Sequence, residues 1–182
     1  MIKDIPQYLF LDRDGVINTR IPGDYIRSVE MCVLENGVLD ALKILRPLFQ
    51  RIVVVTNQAG IGKGLMSEND LNQVHHYLQE QFTAHGAKMD GFFHCPNIAA
   101  DNAPCRKPNI GMGIMAQSDF PEIDFAQAWM VGDSNSDIEF GQRLGMKTAL
   151  ITGKIGELKS VKADIEVLSL LDFAHFIFSN KK

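Results

Sequence analysis

Apolar and polar positions along the chain fall into a repeating rhythm, in which a short apolar run is followed each time by a stretch with helical spacing. Tyr8-Leu9-Phe10-Leu11 is the first run. Arg51-Ile52-Val53-Val54-Val55-Thr56 is the second, continuous and β-branched, as a strand covered on both faces requires. Residues 91–95, 128–131, 147–151 and 165–167 supply four more strand candidates. Between them, Val38, Leu39, Leu42 and Leu45 recur at helical spacing, predicting a helix over 37–48 with Asn36 as its cap. Ser67 and Asp70 have the spacing of a capping box and open a helix that runs to about 85 and ends at Gly86. Further helices are predicted over 111–118, over 136–144 and at the C-terminal end through Phe178, while residues 96–108 read as a polar, Pro-containing loop.

Strands that alternate with helices predict an α/β fold, a three-layer Rossmann-like sandwich around a mainly parallel sheet, with right-handed crossovers placing helices on both faces. Ligands of such sheets bind beyond the carboxyl ends of the strands. The polar residues at those ends therefore carry the chemistry. Asp12 and Asp14 follow the first strand, Thr56 and Asn57 the second, and Asp133 and Asp137 the fourth; the loop after the third leads to Arg106-Lys107-Pro108.

Strand geometry sends alternate side chains to one face, so Asp12 and Asp14 can share a site. Carboxylates this close repel one another unless a cation or proton separates them. Mg²⁺, a hard ion that takes carboxylate, carbonyl and phosphate oxygens, fits that need. An Asp carboxylate can attack phosphorus to form an aspartyl-phosphate, and a second can protonate the leaving oxygen and then activate water. A protonated Asp14 is ready for the first of those tasks. Thr56 and Asn57 offer a hydroxyl and an amide to phosphate oxygens, and Lys107 offers a compact positive charge. Asp133 completes a Mg²⁺ shell with the Asp12 carboxylate and the Asp14 backbone carbonyl. Each element alone has a bland reading: Asp-Gly as a turn, Gly132-Asp133 as a turn before a helix cap, Arg106-Lys107 as solvated loop charges. Their joint occurrence after successive strands favours phosphoryl transfer.

Composition narrows the partners. The chain has 182 residues, suited to one domain spanning 1–182, with a net charge of −4 that disfavours nucleic acid and anionic membrane surfaces. No apolar stretch is long enough to span a bilayer, and Met1-Ile2-Lys3-Asp4 lacks the layout of a signal peptide. Three cysteines, an odd number, argue against a disulfide framework and for a reducing cytoplasm. The expected partner is a small phosphorylated metabolite, and the expected state a monomer.

The phrases Phe10-Leu11-Asp12-Arg13-Asp14-Gly15, Val55-Thr56-Asn57-Gln58, Cys105-Arg106-Lys107-Pro108 and Met130-Val131-Gly132-Asp133 resemble the haloacid dehalogenase superfamily, and within it the branch of D,D-heptose 1,7-bisphosphate phosphatase and histidinol-phosphatase. The resemblance runs from Tyr8 to Lys154. It implies Asp12 as nucleophile, Asp14 as general acid/base, Thr56 and Lys107 as stabilisers of the transferring phosphoryl group, and Asn57, Gln58 and Arg106 on the substrate side. It also implies metal ligation by Asp12, Asp14 and Asp133, Asp137 as a further acid, and no separate cap domain. The implied activity is a Mg²⁺-dependent phosphomonoesterase, with D-glycero-D-manno-heptose 1,7-bisphosphate leading and histidinol phosphate as the rival. A non-catalytic phosphate-binding protein is the reading from another class, and the intact aspartate pair argues against it. The branch holds a structural zinc through Cys-x-His and Cys-x-Cys; here two of those four positions are Asn97 and Ala103, so zinc is not expected. Ser134 stands where the heptose enzymes have a lysine.

Several lookalikes carry other expectations. Gly60-Ile61-Gly62-Lys63-Gly64 lacks phosphate-loop spacing and reads as a flap edge from which Lys63 reaches a second substrate charge. Residues 111–116 match a dinucleotide pattern only formally, and Met112 and Met115 read as core filling. His75 and His76, adjacent on a helix, point apart and are not expected to share a metal.

Overall fold

The computed structural model describes residues 7–152 and 161–180. Met1–Asp4 and Lys154, on which two of the sequence readings fall, lie outside them. The six expected strands form one sheet: β1 (Tyr8–Leu11), β2 (Arg51–Asn57), β3 (Gly91–Cys95), β4 (Ala128–Gly132), β5 (Lys147–Ile151) and β6 (Ile165–Val167). Their order is β3-β2-β1-β4-β5-β6 and every pairing is parallel. The order reverses between β1 and β4, which is where a doubly wound sheet opens its ligand crevice. Leu11 pairs with Val131 there, and the Asp12 N–H donates to the Val131 carbonyl at 2.9 Å.

Strand alternation divides the core. Leu9 and Leu11 point to one face, where they meet Leu42 and Leu45 of α1 (Val38–Leu45), Val74 and Leu78 of α3 (Glu68–Ala84), and Phe173 of α6 (Leu170–Ser179). Phe10, Val53 and Val55 point to the other, against Met112 of α4 (Gly111–Asp119) and Phe140 of α5 (Asn135–Arg143). Each fully buried side chain of this size contributes about 1.5–3 kcal/mol of transfer free energy. This is the three-layer sandwich that the pattern predicts. No helix among the described residues is long and apolar enough to cross a membrane.

Local differences have local causes. The first helix is capped by Gly37 in a left-handed conformation (φ 75°), not by Asn36, and its last turn tightens to a 3₁₀ turn at Arg46–Leu48, where Pro47 cannot donate. The segment read as a flap edge contains a short helical turn, α2 (Ala59–Gly62). Its glycines allow close approach: a Cβ on Gly62 would lie 2.6 Å from the Pro96 carbonyl oxygen, and one on Gly60 would press on the Tyr25 ring. Ser67 and Asp70 form the expected capping box, and Ser134 caps α5 through Asp137.

Candidate active site

The carboxyl ends of β1, β2 and β4 and the loop after β3 converge on one cavity of about 580 Å³, with Asp12, Asp14, Thr56, Asn57, Arg106 and Lys107 on its wall. Its floor is Lys107. The lysine is buried, and its Nζ donates to Asp12 Oδ1, to Asp137 Oδ1 and to the Val55 carbonyl, each at 2.7 Å. Burial works against that charge, but Asp12 and Asp137 overcome it and raise the Lys107 pKa above the usual lysine range. Asn57 holds the lysine's backbone from both sides: its Oδ1 accepts from the Lys107 N–H at 3.0 Å and its Nδ2 donates to the Lys107 carbonyl at 3.1 Å. Asn57 thus supports the cation, in addition to lining the cavity.

Asp12, Asp133 and Asp137, all buried, each place a carboxylate oxygen within 4.8 Å of the other two. Three hard oxygen donors in this spacing fit a Mg²⁺ ion. The sequence expectation placed the Asp14 backbone carbonyl beside Asp12 and Asp133 in the ion's shell; the Asp14 side chain lies in a fork of donors, and Asp137 adds a third carboxylate to the cluster. Burial, and then the neighbouring Asp137 carboxylate, push the Asp12 carboxyl up to about 7 against the pull of Lys107. Two glycines make the crowding possible: a Cβ on Gly15 (φ 93°) would collide with the Asp133 carboxylate, and one on Gly132 with Asp137.

The fork around Asp14 is built from three residues. Arg13 Nη2 donates to both Asp14 oxygens at 2.9 Å, Asn18 Nδ2 to Oδ1 at 2.9 Å and Gln58 Nε2 to Oδ2 at 2.8 Å. Burial alone would raise the Asp14 pKa; the Arg13 guanidinium and these donors hold it below the ordinary carboxylate value. The resting carboxyl is therefore ionised, which corrects the expectation of a protonated Asp14. Gln58 also donates to Thr56 Oγ1 at 2.8 Å and is fully buried behind the wall, so it braces Asp14 and Thr56 from the protein side. Asn97, against the loop before Lys107, accepts from Arg106 Nη1 through its carbonyl at 3.1 Å.

Sequence reasoning missed Arg13, Asn18, Arg20 and Tyr25. Arg20 Nη2 lies 3.1 Å from Asp133 Oδ1, and Lys63 sits over the Tyr25 ring at 5.3 Å. Only the lysine had been singled out. Asn18 carries a readable signal, since its position four residues after Asp14 lets a short amide fold back onto that carboxylate.

The cysteine expectation needs correction. Cys95 and Cys105 are joined by a disulfide, with Cα atoms 5.4 Å apart, and Cys32 is buried and free. An odd count cannot distinguish three free thiols from one bridge plus one thiol. The bridge forms because the loop from Pro96 curls back onto the end of β3. Asn97 lies beside both sulfurs and Ala103 is buried in the second core, so the four positions compared with the zinc motif present no four-ligand set.

The HAD-hydrolase-like family model (Hydrolase_like) matches residues 104–167. The chain is 40% identical over 168 residues to the D-glycero-alpha-D-manno-heptose-1,7-bisphosphate 7-phosphatase of Mycobacterium tuberculosis (strain ATCC 25618 / H37Rv), spanning 91% of this chain and 88% of the relative. It is 33% identical over 184 residues to the D-glycero-beta-D-manno-heptose-1,7-bisphosphate 7-phosphatase of Vibrio cholerae serotype O1, spanning 96% and 97%. Among solved structures, that of D,D-heptose 1,7-bisphosphate phosphatase from B. bronchiseptica, complexed with magnesium and phosphate, aligns with a TM-score of 0.84 at 26% identity, covering 95% of this chain and 98% of that one.

Proposed function

The chain belongs to the heptose-1,7-bisphosphate 7-phosphatase family of HAD-like hydrolases, and from that premise we propose how its site works. It is a magnesium-dependent phosphatase acting on a sugar bisphosphate. The observation that carries this reading is the meeting of Asp12, Asp133, Asp137 and Lys107 at the crevice where the strand order reverses.

Asp12 is the nucleophile. Its carboxylate attacks the substrate phosphorus, and the bond to the sugar oxygen breaks as the aspartyl-phosphate forms. Thr56 and Lys107 bind the equatorial oxygens as they gain charge. As the anionic phosphate arrives it raises Asp14's proton affinity against the pull of Arg13, so Asp14 takes up a proton from solvent and gives it to the leaving alkoxide. Asp14, now ionised, takes a proton from water, which attacks the same phosphorus and frees Asp12. Asp12, Asp133 and Asp137 would hold a Mg²⁺ ion, whose charge would offset the repulsion between carboxylate and phosphate.

The cavity mouth supports a second phosphate. Arg20, Lys63 and Arg106 line it, along with two acids, Asp24 and Glu139. Asp24 is paired with Arg27 at 2.8 Å, Glu139 with Arg143 at 3.3 Å and Arg20 with Asp133 at 3.1 Å, so Lys63 and Arg106 leave the balance at the mouth positive. That favours an anionic far end over the amine and imidazole of histidinol phosphate. The higher identity to the alpha-anomer enzyme favours the α-bisphosphate over the β.

The test is steady-state phosphate release from both anomers of the heptose bisphosphate and from histidinol phosphate. The α-bisphosphate is expected to give the highest kcat/KM. A preference for histidinol phosphate would overturn the substrate reading, and no release from any of the three would overturn the activity.

Chelation tests the metal. EDTA is expected to abolish turnover and added Mg²⁺ to restore it; a rate indifferent to both would remove the ion. Because the folded pKa of Asp12 is raised above its unfolded value, the metal-free chain is destabilised as pH rises through about 7 and relieved as pH falls below it. Mg²⁺ binds the ionised form. The Mg²⁺-induced rise in Tm is therefore expected to be larger at pH 8 than at pH 6, and an equal rise at both would contradict the assignment of Asp12 as the ligand whose proton must leave.

A further inference from the structure

Arg13 is fully buried between the two aspartates of the site. Its Nε and Nη2 serve Asp14, at 3.2 and 2.9 Å, while Nη1 reaches across 62 positions of sequence to His75 Nε2 at 3.4 Å. Arginine has donors only, so the histidine must offer a lone pair at Nε2 and carry its proton on Nδ1. Burial, then the Arg13 charge, then His94 keep the ring neutral, with its pKa lowered to about 3. The imidazole lies flat on Phe92 of β3, with ring centroids 4.7 Å apart, and meets His94 edge-on at 6.3 Å. It does not line the site cavity. Its neighbour His76 faces solvent, with its side chain 76% exposed, so the histidine pair splits into one surface and one buried residue.

A packed histidine needs no function, and stacking on Phe92 accounts for its burial. It does not account for the aim of Nε2 at the guanidinium. A guanidinium that donates from one edge to a carboxylate and from the other to a fixed acceptor cannot turn its plane about the Cδ–Nε bond without breaking both sets of bonds. We propose that His75 is a positioning residue for the acid–base step: it fixes the plane of Arg13, and Arg13 fixes the carboxylate of Asp14. This rests on the reading of Asp14 as the group that protonates the leaving oxygen.

Leaving-group dependence separates this role from packing. A sugar alkoxide needs a proton as it departs, whereas p-nitrophenolate leaves without one. For both substrates kcat/KM reports the step up to formation of the aspartyl-phosphate. His75→Phe keeps the ring and its stack but has no lone pair; His75→Gln replaces the ring and places an amide oxygen near the position of Nε2. The expected result for H75F is a kcat/KM about tenfold lower on the heptose bisphosphate and within about twofold of wild type on p-nitrophenyl phosphate, with most of the loss recovered in H75Q. An equal loss on both substrates, no loss on either, or a Gln variant as impaired as the Phe one would overturn the proposal. H75N against H75Q makes the same comparison should H75F not fold, because the shorter amide of Asn falls short of Nε2. A wild-type chain that hydrolyses no alkyl phosphate would remove the role assigned to Asp14 and this inference with it; an active wild type with any of the three adverse patterns removes this inference alone.

Discussion

Asp12→Asn lowers phosphate release from the sugar bisphosphate by about 10⁴-fold or more while the chain stays folded. The amide lacks the charge that attacks phosphorus, and the neighbouring carboxylates at the strand ends are already engaged. Asp133 and Asp137 are committed to the cation cluster, and Asp14 is held by Arg13, Asn18 and Gln58. The fold survives because the site tolerates the change. The Asp12 backbone N–H still bonds the Val131 carbonyl, and an amide oxygen still accepts from Lys107 Nζ. One carboxylate fewer also relieves repulsion from Asp137, Asp133 and Asp14. The metal-free variant is therefore expected to melt within a few degrees of wild type, a shift corresponding to about 1 kcal/mol. Turnover in the purified variant comparable to wild type would take the nucleophile's role from Asp12.

Lys107→Met has the larger effect on stability. It deletes a side chain that bonds Asp12 and Asp137 together and leaves both carboxylates buried without this shared cation. Breaking a buried ion pair in this way costs about 3–5 kcal/mol, a large share of the roughly 5–15 kcal/mol that holds a domain folded. Activity falls as well, by about 10²–10³-fold, because the transferring phosphoryl group loses a preorganised charge. Mg²⁺ is expected to recover part of the lost stability, since it neutralises the same oxygens. Denaturant melts with and without the ion read both effects. A loss below about 1 kcal/mol in metal-free buffer would show that the cluster does not depend on this lysine.

The layer structure was legible because it rests on short-range periodicity. Val53-Val54-Val55 has to be covered on both faces wherever it lies, and helices on either side are the means an α/β chain has of doing so. The ends of those strands were legible for the same reason: Asp12 and Asp133 follow β1 and β4, Thr56 lies at the end of β2, and Lys107 comes in from the loop after β3. Local errors came where two local rules compete. Asn36 and Gly37 both suit a helix start, and the left-handed backbone at that position selected the glycine. Residues 59–62 are rich in glycine and read as loop, yet contacts with Tyr25 and Pro96 hold a helical turn there.

The acid–base residues show the limit more sharply. Arg13 looks like a surface charge and is the largest fully buried side chain, because its partners are an adjacent aspartate and a histidine from a distant helix. Its charge keeps Asp14 ionised, where the sequence reading has it protonated. Asp137 joins the cation cluster because α5, capped by Ser134, turns its first-turn acid inward, toward Lys107. Cys95 and Cys105, ten positions apart, meet only because their loop closes.

By itself the sequence determined the sheet, its two covered faces, the edge on which the chemistry lies and the residue types suited to moving a phosphoryl group, since each follows from burial and backbone geometry over a few neighbouring positions. Tertiary structure alone decided which carboxylates share a cation, which one Arg13 claims and which amides brace the wall. Those choices turn on distances of about 3 Å between groups up to 113 positions apart, and on how strongly burial there magnifies each charge.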